Sequence, residues 1–171
     1  MATDQQTILE ALNTALQMET EGKEFYTRAS QQSSNELGKT LLATLASEED
    51  YHQKVFKGIY ESIRNKKGWP VVDFHPDGGS GLRTAFARNI TPQVHSSRDE
   101  LEAVTTARAM ETKTYDFYQS QLRLAKDPSE RDFYERLAAQ EQEHNLVLAD
   151  YYEYLQNPAG WFVKKEHPTL D

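Results

Sequence analysis

From Ile8 to Ala29 apolar residues return every three or four positions: Ile8, Leu12, Ala15, Met18, Gly22, Phe25 with Tyr26, and Ala29. That is the period of one helix face, and it predicts a helix from about Asp4 to Gln31, with Thr3 or Asp4 as its cap. Glu19 falls inside this apolar stripe, not opposite it. After the polar run Gln31 to Asn35 the period resumes through Leu37, Leu41, Leu42, Leu45, Ala46, Val55, Phe56, Ile59, Tyr60 and Ile63. It predicts a second helix from about Ser34 to Asn65, and so short a turn makes the two helices antiparallel neighbours. Glu49 and His52 lie in the second stripe.

Two more helices are expected downstream. One spans about Ser97 to Lys126, with Ser97 and Glu100 as the ends of a capping box. The other spans about Pro128 to Gln156, capped by Asp127 with Pro128 at its first position. In the latter Leu137, Ala138, Leu148 and Tyr152 share a side with Glu141 and His144.

The pattern breaks between residues 66 and 97, where Trp69-Pro70, His75-Pro76-Asp77-Gly78-Gly79-Ser80-Gly81 and Thr91-Pro92 signal turns. A helix of about 28 residues is roughly 42 Å long, and a linker of this size can traverse it. Leu82 to Ala87 is expected as a short helix on the way. The tail, Asn157 to Asp171, holds Pro158, Gly160 and Pro168 and is expected to be irregular. Trp161 and Phe162 would fold back over a bundle end or a neighbouring subunit. His75, His95 and His167 read as surface histidines of these loops. The expected organisation is one domain over 1–171: a first helix pair at 4–65, a crossover at 66–97, a second pair at 98–156 and the tail.

The second helix pair repeats the first. A shift of 92 residues superposes Glu49 on Glu141 and His52 on His144, with Leu45 on Leu137, Ala46 on Ala138 and Tyr60 on Tyr152. It also places Met18-Glu19-Thr20 on Met110-Glu111-Thr112 and Phe25-Tyr26 on Phe117-Tyr118, without a gap. An internal duplication follows. The repeat also sorts the acids. Glu48 is one turn from His52 but aligns with Gln140, while Glu21 aligns with Lys113 and Glu24 with Asp116. Glu19, Glu49, Glu111 and Glu141 remain as inward carboxylates.

A single Glu-x-x-His is a weak signal, because such a pair more often lies on a solvated helix face. Six ligand-type residues in matching register across a duplication are different. Glu19 and Glu111 supply one carboxylate each from two helices; Glu49 with His52 and Glu141 with His144 supply a Glu-x-x-His pair from each of the other two. This is the ligand pattern of di-iron and di-manganese carboxylate bundles. Four carboxylates balance two divalent cations, whereas without metal they would have to share protons in a dry interior. Imidazole and carboxylate donors suit iron or manganese better than a thiolate-preferring metal. Tyr26 and Tyr118 lie about two turns beyond Glu19 and Glu111. Their spacing fits core packing and hydrogen bonding to ligand carboxylates equally.

Composition narrows the classes. The chain has 171 residues, a net charge of −8 and no cysteine. There is no disulfide framework, thiolate metal site or thiol catalysis. The acidic balance argues against a nucleic-acid partner. No apolar run is long enough for a membrane span, and the start, MATDQQTILEAL, lacks a secretory signal pattern. A cytoplasmic protein is the expectation.

With MET-x-x-x-x-FY, EEDYH and EQEH in place, the chain resembles the rubrerythrin-like branch of the ferritin-like superfamily, over about Leu9 to Tyr60 and Leu101 to Tyr152. The resemblance implies an all-α, up-down-down-up four-helix bundle with a long crossover between helices 2 and 3. It implies two iron ions, with manganese or zinc as alternatives. Glu49 and Glu141 would bridge them as the catalytic pair. Glu19 and Glu111 would be terminal ligands, and His52 and His144 would complete the coordination. Two features depart from the family. Rubrerythrins proper carry a four-cysteine rubredoxin-like module, absent here, so electrons would come from a separate rubredoxin-like donor. Peroxidase-type members have a further carboxylate where this chain has Thr114. The expected function is reduction of hydrogen peroxide or dioxygen by a homodimer. Iron oxidation for storage and a non-enzymatic metal-bound bundle are the alternatives.

Overall fold

The helices stand close to where the apolar stripes place them: α1 (Asp4–Gln32), α2 (Glu36–Arg64), α3 (Ser80–Asn89), α4 (Arg98–Leu124), α5 (Pro128–Gln156) and α6 (Pro158–Glu166). They come from a computed structural model that describes residues 4–73, 80–91 and 93–166, all-α throughout those residues. Thr3, His75 and His167 lie outside the described residues. His95 is exposed, as expected.

Caps fix the starts. The side chain of Asn35 accepts from the Gly38 amide, so α2 begins just after the position expected from the turn. Ser97 accepts from the Glu100 amide at 3.1 Å, and Asp127 accepts from the amides of Ser129 and Glu130. The Ser97 capping box is only half made, however. Glu100 turns its carboxylate into the bundle, where it takes hydrogen bonds from Ser34 at 2.7 Å, Asn35 at 3.0 Å and Tyr151 at 2.7 Å, and also from Ser33. This buried knot ties the α1–α2 turn to α4 and α5.

Cross-helix pairs give the directions. Gln5 near the start of α1 donates to the Ile63 carbonyl near the end of α2 at 2.7 Å. Asn145 of α5 donates to Thr112 of α4 at 2.9 Å, and Arg131 near the start of α5 donates to the Leu122 carbonyl near the end of α4 at 3.1 Å. Tyr26 of α1 reaches Glu111 of α4 while Tyr118 of α4 reaches Glu19 of α1. Each of these helix pairs is therefore antiparallel.

The crossover runs along its own bundle. Trp69 packs its ring on Phe133 and Tyr134 of α5, each 5.6 Å away. In α3, Arg83 donates to Glu143 at 2.8 Å, and Phe86 meets Tyr154 at 6.4 Å. The short helix is longer than Leu82 to Ala87, with Leu82 and Phe86 buried. The tail corrects the expectation of irregular structure. Pro158 opens α6 rather than preventing it, because a first-turn proline loses no helical hydrogen bond. Asn157 caps it through the Gly160 amide at 3.0 Å. Trp161 then folds back on Phe86 at 5.6 Å and Tyr154 at 6.0 Å.

Two apolar clusters fill the bundle. One gathers Leu41, Leu45, Val104, Leu148, Tyr151 and their neighbours; the other gathers Leu12, Phe56, Ile59, Phe133 and Leu137. The charged stripe lies between them.

Candidate metal centre

Helical spacing puts Glu49 and His52 one turn apart on α2, and Glu141 and His144 likewise on α5. The opposing α1 and α4 supply Glu19 and Glu111. All six side chains are withdrawn from water, with exposures of 1% for Glu19, 4% for Glu49, 0% for His52, 3% for Glu111, 1% for Glu141 and 1% for His144. A carboxylate so buried must be paired, protonated or bound to a cation.

The six form two overlapping sets. Glu19, Glu49, His52 and Glu141 each offer one ligand atom, all within 4.8 Å of one another; so do Glu49, Glu111, Glu141 and His144. His52 Nδ1 lies 3.1 Å from Glu19, 3.4 Å from Glu49 and 3.4 Å from Glu141. His144 Nδ1 lies 3.5 Å from Glu111, 3.6 Å from Glu49 and 3.7 Å from Glu141. The imidazoles stack at 5.9 Å and 17°. Glu49 and Glu141 are thus the members common to both sets, and the duplication appears as a local two-fold arrangement.

Protonation reflects this crowding. Burial and the neighbouring Glu49 charge push Glu19 up to about 8. Burial and the charges of Glu49, Glu111 and Glu19 hold Glu141 well above the carboxylate range. Burial opposes the charge on Glu49 as well, but hydrogen bonds from Glu19, His144 and His52 bring it well below. Burial also opposes charged histidines, yet the carboxylates win: Glu111 and Glu49 raise His144 to about 10, and Glu19 and Glu49 raise His52. Protons occupy the space that cations would otherwise neutralise.

The donor set fits a metal, because several of its atoms have no other partner. Glu111 Oε2, Glu141 Oε1 and His144 Nδ1 are buried without a hydrogen bond. The contrast with Glu100 is direct. That buried carboxylate is saturated by hydroxyl, amide and phenol donors and needs no cation.

Side chains around the six hold them in place. Tyr26 donates to Glu111 and Tyr118 to Glu19, resolving their open spacing in favour of hydrogen bonding to these carboxylates. Burial and those carboxylates keep both phenols protonated. Gln140 Oε1 lies 2.7 Å from His52 Nε2. Accepting a hydrogen bond from Nε2–H there turns Nδ1 toward Glu19, Glu49 and Glu141, where its lone pair would serve a cation that displaces the second ring proton. The repeat had offered Gln140 only as the non-acidic counterpart of Glu48, and nothing in the sequence marked it as a partner of His52. Thr114 directs its hydroxyl to the Met110 carbonyl at 3.0 Å. It lines, with Met18, Gly22, Tyr26 and Met110, a small cavity of about 10 Å³ that reaches all four carboxylates. Such a space admits about one water-sized molecule.

Among the described residues, no helix is long and apolar enough to cross a membrane. The rubrerythrin family model matches residues 10–152. Neither a curated protein nor a solved structure matches the chain.

Proposed function

The chain belongs to the rubrerythrin family, a ferritin-like di-iron family, and on that footing we propose that it is an oxidoreductase reducing hydrogen peroxide or dioxygen at a binuclear iron site. The observation carrying this reading is that two four-residue donor sets share Glu49 and Glu141. In the proposed centre Glu19 and His52 hold one ion, Glu111 and His144 hold the other, and Glu49 and Glu141 serve both. When bound, the two ions supply the Lewis acidity and redox equivalents that reduction of an O–O bond requires.

The protein contributes geometry, dryness and selectivity. Tyr118 and Tyr26 fix the outer carboxylates through their phenolic protons. Gln140 fixes the ring of His52. The cavity beside Thr114 is small and keeps bulky substrates away from the four carboxylates. Thr114 cannot act as an additional carboxylate, so the six-residue set stays the same in both oxidation states. With no cysteine in these residues, electrons come from a separate donor of the rubredoxin type. A homodimer remains the proposed assembly.

Mixing the reduced, iron-loaded protein with hydrogen peroxide tests the reading. Peroxide should be consumed as the iron is oxidised, and an external one-electron reductant should restore the reduced state over repeated cycles. Iron that stays reduced in the presence of peroxide would contradict the proposal.

A further inference from the structure

The two tyrosines bonded to the centre are equivalent under the internal repeat, yet they stand in different surroundings. Among the described residues, the ring neighbour of Tyr26 is Phe25, at 5.7 Å. Tyr118 instead lies 6.0 Å from Tyr134, with the planes tilted by 31°. Tyr134 is in turn 5.6 Å from Trp69, and Trp69 is partly exposed. A file of oxidisable rings therefore leads from the protein's edge to a phenol hydrogen-bonded to Glu19.

The repeat shows that the middle of this file, Tyr134, belongs to one side only. The 92-residue shift places Tyr134 on Leu42 and Phe133 on Leu41, whereas Trp69 falls on Trp161. Packing alone does not require a tyrosine at 134. Leucine fills the equivalent core positions in the first half, whereas a tryptophan recurs at the place of Trp69. The indole even carries a cost, since its Nε1 is buried with no hydrogen-bond partner among the described residues. A buried indole N–H usually finds one. A second route from Trp69 through Phe133 and Phe56 also reaches Tyr118, with steps of 5.6, 5.2 and 5.8 Å. Phenyl rings are far harder to oxidise than phenols, so that route holds no stepping stone.

We infer that Trp69, Tyr134 and Tyr118 form an electron relay that connects the protein's edge with the binuclear centre through Glu19. The inference rests on the proposed function. Hydrogen peroxide beyond the one equivalent that two ferrous ions reduce takes its electrons through Tyr118, which gives one electron at a time toward the centre and its phenolic proton to Glu19, leaving a neutral tyrosyl radical. Trp69 then supplies an electron across Tyr134, and the proton returns from Glu19 to the phenol oxygen. The oxidised indole takes its electron from an external one-electron reductant. One electron has passed inward, no proton is gained or lost, and no covalent bond of the chain other than the phenolic O–H is broken and remade. The relay gives the separate electron donor a defined point of delivery, at Trp69.

Rapid-freeze electron paramagnetic resonance on the iron-loaded chain mixed with hydrogen peroxide in excess of the one equivalent that two ferrous ions reduce tests the relay. Without added reductant, the wild-type protein should show an indole radical as well as a tyrosyl radical. The chain has two tryptophans, so assignment is direct: Trp69→Phe should lose the indole signal and accumulate the tyrosyl one, while Trp161→Phe should keep both. Tyr134→Phe preserves the ring packing and should lose most of the indole signal. An indole signal that survives in full in Tyr134→Phe, or that disappears in Trp161→Phe instead of Trp69→Phe, would overturn the relay. Iron content and the extent of iron oxidation on the same samples separate the two claims. Iron that is bound and oxidised without any protein radical overturns the relay alone, whereas failure to bind iron overturns the proposed function and the relay with it.

Discussion

His52 shows how much of the centre a sequence can carry and where it stops. The duplication made Glu19, Glu49, His52, Glu111, Glu141 and His144 legible together, because the same residue types recur at the same spacing in both halves. The structure brings all six side chains into one buried cluster. Gln140 escaped because a glutamine on a charged helix has no signature, and its partner lies 88 residues away. Gln140→Leu should weaken metal binding by about 10–100-fold, the usual cost of losing a partner that orients a metal-binding histidine. Gln140→Glu keeps an acceptor and should restore much of the affinity; competition with a chelator of known strength measures both. A second residue-scale test concerns Glu130, whose carboxyl is raised by burial first and by the charge of Asp127 second, partly offset by backbone hydrogen bonds at the α5 cap. A carboxyl raised in the fold penalises the folded state above its folded value, and the penalty fades as pH falls toward the unfolded value. Glu130→Gln, which retains the capping acceptor, should therefore raise the melting temperature at pH 8 by roughly 1–3 °C. The gain should shrink toward pH 4.5, and a gain that grows on acidification would contradict the assignment.

At the scale of elements, periodicity located the four long helices to within a few residues, since a continuous apolar stripe leaves little freedom. The ends were harder. Glu100 looked like the third residue of a capping box, but a buried knot of Ser33, Ser34, Asn35 and Tyr151 gives its carboxylate more hydrogen bonds than one amide could. The same knot explains Gly38, where a Cβ would run into Ser33, Tyr151 and Glu100. Gly38→Ala should cost about 1–3 kcal/mol by overpacking, read as a lower denaturation midpoint. The end of α2 offers the opposite change. Lys66 has φ 59° and donates to the Ile63 carbonyl, while Lys67 donates to Ser62, the paired bonds of a left-handed helix stop. Glycine occupies such a position without steric strain, so Lys66→Gly should stabilise the chain by up to about 1 kcal/mol. Pro158 and Gly160 signal a break in the sequence, but the asparagine before the proline makes them a helix start.

For the whole molecule, the duplication explains both the symmetry of the centre and its departures from symmetry. Two helix pairs bring like residues to opposite sides of Glu49 and Glu141. The crossover adds Trp69, whose counterpart under the repeat is Trp161 of the tail, and α3, both packed against α5. Its path within its own chain was not readable from composition, since a linker of that length fits either a crossing or an exchange of helix pairs. The central claim is that six buried side chains form one site for two metal ions, with Glu49 and Glu141 serving both. Removing either shared carboxylate should therefore empty the whole site, not half of it. Elemental analysis of iron-loaded wild type, Glu49→Ala and Glu141→Ala, with helicity checked by circular dichroism, is the most direct measurement. The account predicts two iron ions per folded chain in the wild type and none retained in either folded variant; undiminished iron in both variants would contradict it.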